Sequence, residues 1–287
     1  MKKYRYKVSP THHGMKLLAF LREKCTEASS VKALKRAVDG KQCQINRRVE
    51  FFSTHQLSQG DLVELILREE KKEKTAPTAL FEDEDIIILN KPPHTVSSPN
   101  DLGLAYDLVH RIDKDTSGVL VLAKNADAKE AMEQLFLKRK ISKFYLAVVD
   151  GVIKNEEGSI NHFLVKKWEY EGAVIYGKGK KGDGQNALTY WKCLKKGNTS
   201  SLLFVEPITG RTHQIRAHLK NIGHPILGDW QYSKDFTCSF HPQRQMLHAY
   251  SIEFVHPTTK KFLKVIAPVP QDILECMKTL QLSTSLE

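Results

Sequence analysis

The chain has 287 residues and a formal net charge of +11, from 44 Lys and Arg against 33 Asp and Glu, a size that suits one large domain or a large one with a small appendage. Its apolar runs, such as Ile86–Leu89 and Val119–Ala123, are far too short to span a membrane, and the basic opening 1–7 lacks the apolar stretch that follows in a signal peptide. The five cysteines are far apart and form no CxxC pair, which argues against a zinc site or disulfide frame and for the reduced packing thiols of a soluble, cytoplasmic protein.

The positive charge is concentrated at the start, where residues 1–76 hold 17 Lys and Arg against 9 Asp and Glu, or +8. A strongly basic small segment joined to a nearly balanced large one suggests a nucleic-acid anchor beside a working domain. Within it, Leu17, Leu18 and Leu21 recur at helical spacing over 15–24. A second helix is expected after Ser29 or Ser30 as N-cap, with Val31, Leu34 and Val38 as its apolar stripe and Gly40 at its end. Its other face carries Lys32, Lys35 and Arg36, the cations expected to face nucleic acid. A short strand at 42–45, a polar turn at Asn46-Arg47 and a closing strand after Gly60-Asp61 complete the segment.

Residues 69–78 are charged at first and then contain Pro77, which reads as a linker. Beyond it, strands and helices interleave irregularly rather than as repeated βα units. A helix capped by Asn125 carries Met132, Leu135, Phe136 and Arg139 at helical spacing, and Phe144–Val149 reads as a strand ended by an Asp150-Gly151 turn. Another helix starts near Thr212 and ends at Gly223, burying Ile215, Leu219 and Ile222. The division expected is 1–70, a linker at 71–78, a large domain at 79–278 and a disordered tail at 279–287.

The most informative stretch is His110-Arg111-Ile112-Asp113-Lys114-Asp115-Thr116-Ser117-Gly118, which runs straight into the apolar, β-branched Val119–Ala123 and then Lys124. A carboxylate is set between two cations at the start of a buried strand, so it is held on a rigid element as catalytic groups require. Asp115 could pair with Asp113 as in a glycosidase, but an Asp directly before Thr-Ser-Gly reads as a turn residue bonding local backbone. The stretch resembles the HRLDxxTSG motif of RluA-type RNA pseudouridine synthases. Three further segments resemble the same family: Thr209–Leu219, the strand Lys143–Gly151 and the closing pair from Leu247 to Pro257. The order of elements in residues 15–68 resembles an S4 RNA-binding domain.

The resemblance implies a fold and a chemistry. The fold is α+β, a small N-terminal S4-like module followed by a catalytic domain with a large mixed, mainly antiparallel sheet flanked by helices. The reaction detaches a uridine base from its ribose, turns it over and rejoins it through C5. That needs a nucleophile or base at the sugar–base junction but no redox step or electron sink, so no cofactor and no metal are expected. Asp113 takes the catalytic role, attacking the base, attacking the sugar or removing a sugar proton. Tyr145 is expected to stack on the target base, although a strand tyrosine read alone is core packing with a wet hydroxyl. Arg211 is expected to form the ion pair with Asp113, with Arg216 as the alternative. Arg111 is expected to fill the stack left by an everted base, or to contact a phosphate.

Other signals fail on inspection. Gly172–Lys178 begins like a P-loop, but Gly179 stands where Ser or Thr must hold magnesium. His213 and His218 are five apart, not the four of a helical zinc pair. His224, His248 and His256 read as structural or RNA-facing. Asn90–Pro93 matches an early family segment, yet His94 falls where a small residue is commoner, and only fifteen residues separate it from His110, a short link. The whole reads as a monomeric isomerase acting on structured RNA, ribosomal RNA above transfer RNA, with a non-catalytic RNA-binding or ribosome-assembly protein as the alternative.

Overall fold

In a computed structural model the chain divides into two compact units, Met1–Glu73 and Lys74–Glu287. The structure describes residues 2–28, 31–40, 42–67, 76–170, 173–180, 182–233 and 235–283. The two serines expected as the N-cap, linker residues 71–75 and the last four residues lie outside these, as do the side chains of Lys32 and Arg36.

The first unit comprises β1 (Lys2–Lys7), α1 (Leu17–Lys24), α2 (Val31–Asp39), β2 (Cys43–Ile45), β3 (Arg48–Glu50) and β4 (Leu62–Leu67). Its strands form one antiparallel sheet in the order β1-β4-β2-β3. One face of that sheet supplies Cys43, Ile45, Val63 and Leu65, which pack with Leu17, Phe20, Leu21, Leu34 and Val38 of the helices. The period-2 pattern of strands and the 3.6-residue period of helices thus meet in a single core. The turn between β2 and β3 places Asn46 and Arg47 at φ 50° and 67°, the left-handed pair that a two-residue hairpin turn demands. Strand β1 was hidden from sequence reading, because Lys2, Lys3, Arg5 and Lys7 disguise its alternation with Tyr4 and Tyr6.

The second unit contains β5 (Thr78–Glu82), β6 (Ile86–Lys91), α3 (Pro99–Leu102), β7 (Asp107–Leu108), β8 (Ser117–Ala123), α4 (Ala126–Leu137), β9 (Ser142–Asp150) and β10 (Glu157–Tyr170). It continues with β11 (Ala173–Lys178), β12 (Gln185–Lys196), β13 (Ser200–Pro207), α5 (Gln214–Asn221), β14 (Leu247–Val255), β15 (Phe262–Ile266) and α6 (Gln271–Thr279). An 11-stranded sheet runs β11-β10-β12-β13-β9-β14-β8-β6-β5, with β15 beside β14 and β7 beside β8. The mixed α+β architecture and the mainly antiparallel large sheet agree with expectation. Helix α4 starts at Asn125, whose side chain accepts from the Ala128 amide at 2.8 Å, satisfying a donor the helix cannot.

Two half-sheets meet at β14, which is antiparallel to β9 and parallel to β8. The Thr-Ser-Gly of the central motif has its explanation here. Gly118 pairs with Ala249 at φ 109°, and a Cβ on it would lie 2.1 Å from the Ala249 carbonyl oxygen. Only glycine lets the strands approach so closely. The expected tail from 279 needs correction, because Leu282 is fully buried in the core of the second half-sheet with Ile273, Cys276 and Met277. Its amide donates to the Met277 carbonyl at 2.7 Å. All five cysteines are free and buried. No helix of the described residues is long and apolar enough to cross a membrane.

Candidate active site

The site forms where the half-sheets meet. Asp113 stands at the mouth of β8, in a turn that its own carbonyl closes by accepting from the Thr116 amide at 3.0 Å. That turn is pinned from several sides. The Lys91 ammonium donates to the Lys114 carbonyl at 3.1 Å, and also to those of Pro92 and Thr95, both at 2.9 Å. Arg244 donates to the Asp115 carbonyl at 3.0 Å, and Gln245 to the Thr116 hydroxyl at 3.1 Å. On the preceding residue, the Ser97 hydroxyl donates to the Ile112 carbonyl at 2.7 Å. Ser117 lies 3.0 Å from Nδ1 of the fully buried His248. A backbone tied at so many points leaves the Asp113 carboxylate little positional freedom.

Across the seam, α5 delivers Arg216. Its Nη1 donates to Asp113 Oδ2 at 2.9 Å, while Nε and Nη2 form a two-point pair with Asp229 at 2.7 and 2.8 Å. Nη2 also donates to Gln231 Oε1 at 2.6 Å, and the guanidinium lies 4.9 Å from the centre of the Tyr232 ring. Burial works against the Arg216 charge, but the carboxylates of Asp229 and Asp113 outweigh it and hold the guanidinium firmly protonated. Asp113 is about a quarter exposed, whereas Arg216 and Asp229 are buried. Asp113 Oδ1 meets His213 Nε2 only at 3.9 Å, beyond hydrogen-bonding distance. One oxygen is therefore fixed by Arg216, while the side chain as a whole stays about a quarter exposed.

This corrects the expectation that Arg211 pairs with Asp113. Arg211 precedes α5, where its amide donates to Gln214 Oε1 at 3.0 Å and its Nε to the Asn186 carbonyl at 3.3 Å. The side chain follows the edge of β12 instead. Gln214 also accepts from the Thr209 hydroxyl at 2.6 Å and donates to the Leu188 carbonyl and the Thr189 hydroxyl. It fixes the helix start and so the direction in which Arg216, half a turn on, projects. A signal for Arg216 was present in the sequence. A charge between Ile215 and Ala217 on a helix's buried side must have a partner, because an unpaired ion there is very costly. Asp229, Gln231 and Tyr232 had no such signal.

The remaining expected residues are dispersed. Tyr145 lies on β9, opposite Val205 and Ala249, and burial, reinforced by the Asp113 charge, pushes its hydroxyl well above the usual range. It lines a cavity of about 10 Å³ with His110 and Lys143, room for about one water molecule. Arg111 is exposed, next to the buried Ile112. Lys35 is exposed on α2 in the other unit. The Asp115 carboxylate, expected to bond local backbone, instead lies 2.8 Å from His94 Nδ1, with His94 at φ 64°. The segment that began like a P-loop forms β11 of a hairpin. His224 lies 2.9 Å from the Asp150 carbonyl, a structural tie.

One group of potential ligands occurs among the described residues, Asp83, Asp85 and His256, with atoms within 4.8 Å of one another. His256 Nδ1 already accepts from the Thr258 and Thr259 amides at 3.2 and 3.1 Å, while Nε2 is buried 3.0 Å from Asp83 Oδ2 without the geometry of a hydrogen bond to it.

Comparison with known proteins gives this geometry its name. A profile of the RNA pseudouridylate synthase family matches residues 85–221, the stretch that holds both Asp113 and Arg216. "Uncharacterized RNA pseudouridine synthase YlyB" of Bacillus subtilis is 33% identical over 223 residues, covering 70% of this chain and 72% of that protein. The chain belongs to the RNA pseudouridine synthase family. "Ribosomal large subunit pseudouridine synthase C" of Vibrio vulnificus is 29% identical over 304 residues, 94% of each chain. Among solved structures, "Human RNA Pseudouridylate Synthase Domain Containing 4" superposes with a TM-score of 0.62 at 26% identity, over 72% of this chain and 94% of that one. Members of this family of isomerases convert uridine to pseudouridine in RNA.

Proposed function

We propose that this pseudouridine synthase acts on ribosomal RNA of the large subunit, with Asp113 as the reacting carboxylate. The observation that carries the catalytic assignment is the Asp113–Arg216 pair, 103 positions apart in sequence and 2.9 Å apart in space. Arg216 holds the carboxylate oriented through Oδ2, and Oδ1 is left to meet the sugar–base junction of an everted uridine. Tyr145 supports the base from β9, and Arg111, exposed two residues before Asp113, occupies the gap the base leaves. Isomerisation is balanced within the substrate: the N1–C1′ bond breaks, the C5–C1′ bond forms, and the proton leaving C5 is matched by one gained at N1.

The substrate class is supported by the relatives named as ribosomal large subunit enzymes, one aligned over nearly the full chain. The first unit, basic and resembling an S4 module, serves as the RNA anchor in this reading, and transfer RNA is the alternative substrate. The test is Asp113→Asn, which keeps shape and removes charge. Pseudouridine formation in a ribosomal RNA fragment under single-turnover conditions should fall below detection, while affinity stays within several-fold. An Asp113→Asn chain that still makes pseudouridine would refute the assignment. Mapping modified uridines in total RNA from cells with and without the protein checks the substrate class.

A further inference from the structure

The four-stranded sheet of the first unit has one face against its helices and one open face. Register identifies the open one. Val49 pairs with Gln44, Gln44 with Glu64, and Glu64 with Arg5, so these four form a row across all four strands. The helix-facing residues Cys43, Ile45, Val63 and Leu65 alternate with that row. On β1 the open face carries Lys3, Arg5 and Lys7, all exposed. Lys3 and Arg5 share the single carboxylate of Glu64, at 2.9 and 2.7 Å, which leaves the face net positive.

The far end of this row runs into an aromatic pair. Directly after β3, Phe51 and Phe52 are 44% and 60% exposed, with ring centroids 4.4 Å apart, and Val49 beside them is 49% exposed. Their backbone is fixed, because Glu50 Oε1 accepts from both amides at 2.9 and 2.7 Å while its Oε2 lies 2.8 Å from His55. The two phenyl groups and Val49 thus form a small exposed apolar patch on a braced turn. Cations tracking a backbone, beside rings that offer a π-face, are the parts from which single-stranded nucleic acid is bound.

We infer that the open sheet face of the first unit binds an unpaired segment of the RNA, with Lys3, Arg5 and Lys7 along its phosphates and a base stacked on the Phe51–Phe52 pair. The inference rests on the reading of this unit as the RNA anchor, but it assigns the contact to the sheet rather than to the α2 face that carries Lys35. The occupant is RNA rather than a protein because charge complementarity favours a polyanion and stacking needs no particular sequence.

The test uses the full chain and two RNAs of equal length, a hairpin with a long unpaired loop and a perfect duplex. Phe51→Ala/Phe52→Ala should weaken loop binding by roughly 5- to 150-fold for one lost stack, leave duplex binding within twofold, and leave the salt dependence unchanged. Phe51→Tyr/Phe52→Tyr, which keeps the rings, should bind like the parent. Lys7→Gln should lower the slope of log affinity against log salt by about one. Unchanged loop affinity in the alanine variant overturns the inference. So does an equal loss on both RNAs, or an RNA-free parent dimer that the alanine variant dissociates, which would give the patch to a second copy. Whether the parent makes pseudouridine in the loop RNA is scored separately, so failure of the enzymatic reading is distinguishable from failure of this one.

Discussion

Arg216 carries more of this site than its single contact with Asp113 suggests. It joins two carboxylates, Gln231 and the face of Tyr232, a set that needs a planar donor fork and that lysine cannot reproduce. Removing it outright would strand the buried Asp229, so Arg216→Lys is the informative change. A carboxylate displaced by even about 1 Å can lose roughly 100-fold in rate. We expect Arg216→Lys to lower kcat on that order with RNA affinity nearly unchanged, and Arg211→Ala to leave kcat at saturating RNA within a few-fold. Single-turnover kinetics on both variants check this, and the reverse ranking would restore Arg211 to the ion pair. Reading the sequence singled out Asp113 because its stretch resembles a family motif and a carboxylate entering a buried strand is an unusual local pattern. It misplaced the partner because register on a helix decides direction, and the start of α5 depends on hydrogen bonds from Gln214 to β12 that no local pattern encodes.

At the scale of elements, the turn holding Asp113 is controlled from the far end of the chain. Arg244 donates to the Asp115 carbonyl and is itself clamped by Asp272 of α6, at 2.6 and 2.9 Å. Asp272 is nearly half exposed and reaches the Asp113 turn through Arg244. Asp272→Asn should loosen the turn, reducing kcat several-fold with KM unchanged, and Asp272→Glu should recover most of the loss. A fall in RNA affinity with unchanged kcat would argue that α6 acts on binding instead. Helices α4 and α5 were legible because Asn125 caps the first and Met132, Ile215 and Leu219 follow helical spacing, whereas α3 and α6 were not expected. Strand β1 and the Leu282 anchor were not, since alternating cations in one and Ser/Thr around the other imitate solvated chain.

For the whole molecule, proton balance gives a separate expectation. His218 and His248 are fully buried, and burial pushes each down to about 4. An unfolded histidine binds its proton near 6.5, so between about 6.5 and 4 the unfolded chain takes up protons that the folded one refuses. Stability is therefore retained above about pH 6.5 and lost as pH falls through that window, by an amount on the order of a few kcal/mol for the pair. Melting temperatures at about pH 7.5, 6 and 5 check this, and a flat profile would mean that both rings charge without unfolding. The order in which the chain is made adds a further consequence of the seam. Strand β14 leaves a ribosome after both β8 and β9, yet it lies between them in the middle of the sheet. A nascent chain stopped just before Leu247 already contains the acid and its guanidinium, but lacks the plank that joins the two halves bearing them. The Asp113–Arg216 pair thus waits for β14, and copies made only as far as Gln245 lack the strand that brings its two halves together.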